Sequence, residues 1–496
     1  MLHTVLGIDL GTQHLKVVFY DFESRRLAAV ESAPLDVYRG HAGVAEQEAH
    51  WWVNALRDAL AKVGQDVRAS VRAIGVSGQQ HGFVPIDRSG EVLAPVKLWC
   101  DTSTEPECEQ VMNACGGAAA CVAEAGNAVL PGYTASKVSW FRRAHPSLYR
   151  RMDCVLLPHD YLNFFLTGER CMEMGDASGT GFLDVRNRRW SDRILRAIDP
   201  ERDLRECLPP LRTANEAIGT LLQTVATLLG LPAGVPVAIG GGDNMMAAIG
   251  TGNVVPGKLT MSLGTSGTVY AYSPVPVVDE SGSIAAFCSS TGGWLPLLCT
   301  MNCTVSTELA RGLFGLTINE FEGQIAAAAR GSGGILTLPF FNGERTPNLP
   351  NAKGCIVGVD SRNASRENLL RSAVEGATFA LRSGVDALSR LGIQSREIVL
   401  TGGGVKSATW RQVVADVCGL PVTVLEQEEG AAYGAALQAL ALLDGSGTGP
   451  LEALVARHLG RDEARCCEPV LPAVEFYANA YQDFRKTVEA IAVLYA

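Results

Sequence analysis

Two short hairpins of one design, roughly 250 residues apart, constrain this chain more than any other feature. Residues 4–9 and 15–20 flank a turn at Gly11-Thr12, and residues 258–263 and 268–273 flank Gly264-Thr265-Ser266-Gly267. In the first unit Leu15, Val17 and Phe19 alternate with Lys16, Val18 and Tyr20, the period of a strand. A strand–Gly-Thr–strand unit that recurs implies two related halves. Length agrees, because 496 residues exceed what one core of about 250–300 residues can hold. The boundary is expected between 243 and 257, dividing the chain into domains 1–245 and 246–496.

The elements around the hairpins are α/β in order. A third strand over 27–33 extends the antiparallel start. A helix then carries Trp51, Trp52, Ala55, Leu56, Ala59, Leu60 and Val63 on one face, and 71–77 is a buried strand. In the second half, 366–391 has unbroken helical periodicity and stops at Gly392, a C′ glycine. A strand over 397–401, a turn at 402–404 and a helix over 409–418, with Ser407 or Ala408 near its start, complete a strand–glycine–helix order that suits a nucleotide. A helix over 430–443, a Gly/Ser/Pro linker over 444–450 and a last helix over 471–496 follow.

Composition excludes several classes. With 47% hydrophobic and 19% charged residues the chain has ample material for large cores. Its net charge is −10 and it holds no basic run, so a nucleic-acid footprint is missing. The 14 cysteines include no CxxC, and Cys100, Cys108, Cys115 and Cys121 have no interleaved histidine, so reduced thiols are expected in place of a metal or disulfide framework. The start MLHTVLGIDLG lacks a basic n-region and meets Asp9 early, and no stretch approaches about 18 apolar residues; a cytoplasmic protein with no membrane partner is expected.

Five constellations could carry chemistry. Asp9-Leu10-Gly11-Thr12 puts a carboxylate at a strand end before a glycine turn, which would suit Mg²⁺ and a phosphate or a plain hairpin. Gly264-Thr265-Ser266-Gly267 repeats the turn, and a phosphoryl group gripped between the two would be fixed for in-line transfer. Gly240-Gly241-Gly242-Asp243-Asn244 follows a strand over 235–239. Three glycines in a row invite a close approach, with Asp243 as a general base, or else Asp243 or Asn244 caps a helix starting at Met245. Gly402-Gly403-Gly404, with Gly434-Ala435 in the next helix, makes either a flat slot for adenine or a tight turn with close helix packing. Gln79-Gln80-His81 after a strand, with Trp99 and Asp101, offers hydrogen-bonding and stacking groups to a polyhydroxy ligand. Walker, Rossmann, serine-hydrolase and HExxH signatures are missing.

Taken together, GIDLGT at 7–12, GVSGQQHG at 75–82, WCD at 99–101, LLPHDYL at 156–162, DASGTGFLDV at 176–185, GGGDN at 240–244, SLGTSG at 262–267, GERTP at 343–347 and TGGG at 401–404 resemble the FGGY carbohydrate kinases over essentially the whole chain, the xylulokinase branch above all. The resemblance implies two actin/hexokinase-like, ribonuclease H-like α/β domains, with sugar and ATP meeting in the cleft between them. It also implies ATP-dependent phosphorylation of D-xylulose in pentose catabolism. Asp243 falls on the catalytic base and Asp9 on the Mg²⁺-associated acid. Gly11, Thr12, Gly264 and Thr265 fall on the phosphate loops, and Gly402, Gly403 and Gly404 on the adenosine site. Gln80 and His81 fall on the sugar pair, with Asp101 and Asn244 adding contacts, and a homodimer is a family expectation. Four positions depart from the family pattern: Cys100 replaces an asparagine, Ser103 an arginine, His159 the lysine of a Lys-Asp-Tyr segment, and Gln80 the methionine of the xylulokinase Gln-Met-His segment. They gather on the sugar side, where L-ribulose, sedoheptulose or another polyol is the competing substrate. A non-catalytic sugar or nucleotide sensor and an Hsp70-like ATPase are the readings from other classes.

Overall fold

A computed structural model describes residues 2–213, 216–443 and 451–495; the expected 444–450 linker lies outside the described residues. β1 (Thr4–Leu10), β2 (His14–Asp21) and β3 (Arg26–Pro34) form an antiparallel meander, and after α1 (Ala49–Ala61) the strand β4 (Val71–Gly78) returns parallel to β1. With β5 (Ala217–Thr220), β6 (Pro236–Ala238) and the short β7 (Gly241–Gly242), the sheet runs β5-β6-β4-β1-β2-β3, and β7 pairs with β4.

The second half repeats this plan. β8 (Lys258–Leu263), β9 (Gly267–Tyr270) and β10 (Leu297–Thr300) are antiparallel neighbours. β11 (Glu397–Thr401) then lies parallel to β8, and β12 (Val422–Thr423) parallel to β11. The order β10-β9-β8-β11-β12 matches β3-β2-β1-β4-β6, so the duplication read from two turns extends to whole sheets.

Burial explains why β1 reads as an almost unbroken apolar run. Leu6, Ile8 and Leu10 pack on one face with Trp52, Leu56 and Leu60 of α1, while Val5 belongs to a separate core on the other face. A strand covered on both sides has no polar face to show. Each of those fully buried side chains stabilises the fold by about 1.5–3 kcal/mol.

The helices that place the site are α2 (Pro158–Thr167), α3 (Asp243–Gly250), α4 (Arg366–Arg390), α5 (Ala408–Cys418), α6 (Gly430–Leu443) and α7 (Leu471–Ala492). Although α6 follows the second sheet in sequence, it packs on the first. Gly7 and Gly75 stand side by side in register, and a Cβ on them would fall 1.9 Å from the Ala432 carbonyl oxygen and 2.0 Å from that of Ala435. The same helix crosses α3 at backbone distance: a Cβ on Gly434 would meet the Met246 oxygen at 1.8 Å, and one on Gly250 the Gly430 oxygen at 2.0 Å. Gly434 therefore serves close helix packing, the second of its two expected roles. Ser407 caps α5 by accepting from the Trp410 amide at 3.0 Å, and α4 ends before Gly392 in the left-handed region at φ 89°.

Two boundaries differ from expectation. α3 begins at Asp243, with Gly242 as its N-cap, two residues before the expected start at Met245. The last helix ends at Ala492. Cys108, Cys115 and Cys121 fill an apolar core with Phe83, Val111 and Phe141, where burial pushes the Cys108 and Cys121 thiols up to about 12. Among the described residues no helix is long and apolar enough to cross a membrane.

Candidate active site

The loop leading into α3 is clamped from both halves. Gly240 adopts φ 73°, and a Cβ there would lie 2.3 Å from the Val76 oxygen. Its amide donates to Gln438 Oε1 on α6 at 2.8 Å, and Asn163 Nδ2 on α2 donates to the Ile239 oxygen at 2.8 Å. Glycine is required here because the chain turns left-handed against a neighbouring strand. Asp243 is thereby delivered, half-buried, at the first position of α3.

Asp243 Oδ1 accepts from the Asn244 amide at 2.7 Å and from Asn244 Nδ2 at 3.0 Å. The same Nδ2 donates to Gln80 Oε1 at 2.9 Å, which joins the expected base to the expected sugar pair. Burial, followed by the charge of Asp9, pushes the Asp243 carboxyl up to about 7 against the pull of the Asn244 amide, with Asp176 adding a smaller repulsion. A carboxylate whose proton affinity sits near neutrality is suited to general-base work.

Asp9 lies at the end of β1, where Ser77 Oγ donates to its Oδ1 at 2.8 Å and burial raises its proton affinity. Lys16, its register partner on β2, pairs with Glu429 just before α6. Thr12 is tightly held: its hydroxyl donates to Gln79 Oε1 at 3.0 Å and accepts from Trp99 Nε1 at 2.9 Å. In the second hairpin the Gly264 and Thr265 carbonyls accept from the Thr304 and Cys303 amides at 2.9 and 3.0 Å, and Thr265 is exposed. A Cβ on Gly402, at φ 87°, would lie 2.7 Å from the Leu263 carbonyl, and one on Gly404 would lie 2.7 Å from Leu263 Cβ. At Gly403 it would meet nothing within 4 Å. Two of the three glycines thus let the β11 turn pack on the hairpin, and the middle one faces open space.

On the other side His81 is held in the left-handed region at φ 64°, unusual for a residue with a ring. Lys137 Nζ and Thr134 Oγ1 donate to its carbonyl at 2.7 and 3.1 Å. Its ring packs 4.9 Å from Tyr133 and 5.7 Å from Phe287, the latter from the second half. Burial, with help from Lys137 and Arg345, keeps the His81 ring well below its ordinary pKa, hence neutral. Burial also pushes the Lys137 ammonium down to about 7. Asp101 is fully buried with both oxygens engaged: Oδ2 accepts from the Ala45 amide and Lys97 Nζ at 2.8 and 3.0 Å, and Oδ1 from the Ser103 amide and hydroxyl at 3.0 and 2.6 Å. Its link to His81 of the expected sugar pair runs through Lys137, whose charge it favours and which donates to the His81 carbonyl.

The structure therefore brings Asp243, Asn244, Gln80 and Asp9 together, with His81 alongside, and sets Asp101 behind them. Sequence reasoning assigned no role to Gln438, Asn163, Lys137, Tyr133 or Phe287. Each acts across a long sequence separation, and none carries a local signal. Asp176 and Arg345 lay inside recognised motifs and had a signal that could have been used. Two concavities of the second half, one beside Tyr481 and Phe484 and one beside Arg461, contain none of these residues.

Comparison with known proteins accords with this geometry. Residues 4–250 match the FGGY family of carbohydrate kinases, N-terminal domain, and residues 259–443 match its C-terminal domain. A xylulose kinase of Haemophilus influenzae is 43% identical over 486 residues, covering 97% of this chain and 98% of that protein. A solved structure from Brucella ovis, named a xyloylose kinase, superposes with a TM-score of 0.90 at 32% identity over 99% of this chain and 100% of that one. A gluconate kinase from Lactobacillus acidophilus superposes as closely, with a TM-score of 0.91, at 22% identity over 100% of this chain and 99% of that one, a likeness of fold alone.

Proposed function

The chain belongs to the FGGY family of carbohydrate kinases, and from that membership we propose that it transfers the γ-phosphoryl group of ATP to D-xylulose, giving D-xylulose 5-phosphate. The observation that carries the reading is Asp243 at the start of α3, with its carboxyl near neutrality and Asn244 bridging it to Gln80. The xylulose kinase of Haemophilus influenzae, similar over nearly the full length of both chains, supports the choice of sugar.

In this reading Gln80, His81 and Asn244 orient the ketose. Gln80 and Asn244 can donate to and accept from hydroxyls, and the neutral His81 ring offers one donor and one acceptor. Asp243 accepts the proton of the terminal hydroxyl as that oxygen attacks phosphorus through a loose, in-line transition state. Thr12, Gly264 and Thr265 flank the phosphates with backbone amides, Gly11, whose own amide donates to the His14 carbonyl at 3.0 Å, leaves room for the phosphate to approach, and the open face at Gly403 receives the adenine. Cleft closure keeps water from taking the phosphoryl group.

Mg²⁺ keeps several waters and is usually held by one or two carboxylates together with substrate phosphates. Asp9 fits that role: it is half-buried beside the Gly-Thr turn, and its charge already bears on Asp243, a repulsion that a cation relieves. When bound, the ion neutralises charge on the transferred phosphoryl group.

ADP release by the pure protein with D-xylulose, D-ribulose, L-ribulose, sedoheptulose and glycerol, each against a sugar-free control, tests the reading. D-xylulose should stimulate turnover most. A higher kcat/KM for another sugar would move the substrate to that sugar, and the departures at Cys100, Ser103 and His159 would be its cause. A flat panel would sink the catalytic reading in favour of a sensor.

A further inference from the structure

His159 sits near the start of α2 with no solvent exposure. Its Nδ1 lies 2.9 Å from Asp176 Oδ2 and its Nε2 2.9 Å from Asp160 Oδ1. Nδ1 is hydrogen-bonded to Asp176, whereas Nε2 and Asp160 Oδ1 stand at ion-pair distance without a hydrogen bond, so the fully buried ring sits between two carboxylates that favour its cationic form. Burial opposes that charge, but the two carboxylates outweigh it and hold the ring's proton well above the ordinary histidine range. The charged and titratable groups around it are Asp160 on its own helix, Glu173 and Asp176 from the segment before the Ser178 turn, and the Cys154 and Cys171 thiols that face Asp160. From β4 comes Gly78, where a Cβ would fall 2.9 Å from that of His159.

Asp176 carries the effect to the site. Its Oδ2 is taken by His159 and its Oδ1 has no hydrogen-bond partner among the described residues; the nearby His81 backbone amide favours its charge, and that charge bears on Asp243. His81 is also the residue whose left-handed backbone must be held against its preference.

We infer that His159, as an imidazolium clamped between Asp160 and Asp176, is a positioning residue: it keeps Asp176 ionised, and through Asp176 it holds the His81 turn that meets the sugar. The inference rests on the reading of Gln80 and His81 as the sugar pair. A histidine whose folded pKa lies above its unfolded value of about 6.5 contributes fully below that pH and loses its contribution as pH rises through the folded value. Sugar binding should therefore weaken on the alkaline side.

The full-length protein with His159→Lys and with His159→Gln tests this through kcat and the separate KM values for sugar and ATP across pH. The wild type should show sugar KM rising at alkaline pH. His159→Lys should retain the low-pH KM and move that rise toward the lysine range of about 10.4. His159→Gln should raise sugar KM about tenfold at low pH, as loss of a supporting partner typically does, and remove its pH dependence so that it meets the wild-type value on the alkaline side, with ATP KM unchanged. A readout that needs no turnover is NMR of selectively ¹⁵N-histidine-labelled protein. One ring should stay doubly protonated into alkaline pH and vanish in His159→Gln, with the His81 signal displaced in the same variant. A His159 ring that is neutral at pH 7, or a His159→Gln variant with wild-type sugar KM and an undisplaced His81 signal, overturns the inference. If no sugar is turned over, the functional reading fails while the NMR result still decides the clamp.

Discussion

The turns that follow β4 and β11 occupy the same place in two sheets of the same plan, yet they carry opposite chemistry. In the first sheet Asp9 registers with Ser77 and Leu10 with Gly78; in the second Ser262 registers with Thr401, so Gly402 takes the place of Gly78. After Gly78 come Gln79, Gln80 and His81, and after Gly402 come two more glycines. Side chains with donors and acceptors at one strand end suit hydroxyls, and bare backbone at the other suits a flat ring. Topology sets where a ligand can lie, and the residues after the strand set which ligand it is. The hairpins differ in the same sense: where the first has Asp9, the second has Ser262. The carboxylates of the site, Asp9, Asp176 and Asp243, all come from the first half.

The largest effect should come from removing the carboxylate that the second half never had to supply. Asp243→Ala should lower kcat by about 10²–10⁴, the usual worth of general-base assistance, with ATP KM within about twofold of wild type. ADP-release kinetics at saturating sugar measure both. Near-normal turnover would remove Asp243 from the mechanism and leave the two halves chemically closer than they look.

Asp9→Ser converts the first hairpin into a copy of the second and should act next most strongly. The acid limb of kcat/KM should inflect near pH 7 in the wild type, because a base must be deprotonated to work and the Asp243 carboxyl is raised to about 7. Glu173 and Lys137 are also brought to about 7, so the position of the limb alone does not assign it. The charge of Asp9 is a cause of the shift at Asp243 and at neither of the other two. Removing it should move the limb to lower pH and raise the Mg²⁺ concentration needed for half-maximal rate. A limb that stays in place would belong to Glu173 or Lys137.

How much of this was legible beforehand follows from the range of each interaction. The hairpins, the α1 face and the α4 stop at Gly392 depend on neighbours within a few residues, and period and turn chemistry reveal them. The duplication was visible because glycine turns leave a local mark, and the sheets then agreed with it. Gln438 on the Gly240 amide spans 198 residues, and no local pattern announces it. α6 is small or apolar at almost every position and is buried all round from Ala432 to Leu440, so its sequence marks no single packing face. Only the fold shows that Gly434 meets Met246 and that Gly7 and Gly75 make its seat. The resemblance gives Asp101 a ligand contact; in the structure two of its four hydrogen bonds come from Ser103 and one from Lys97, both close by in sequence, and the one that no spacing announces comes from the Ala45 amide, 56 residues away.

The finest test of the comparison lies within the glycine turn itself. Gly402→Ala should lower stability by about 1–2 kcal/mol from the left-handed backbone alone, and by more from overlap with Leu263, as chemical denaturation would report. Gly403→Ala has no such cost, because its Cβ would meet nothing within 4 Å, and its stability should stay within about 0.5 kcal/mol of wild type. If the open face at Gly403 is where the base lies, that methyl group should raise ATP KM several-fold while sugar KM stays put. The mirror variant at Gln80 should move sugar KM and leave ATP alone. An unchanged ATP KM in Gly403→Ala would mean that the bare backbone after β11 serves packing only, and the adenine would then have to be sought elsewhere on the second sheet.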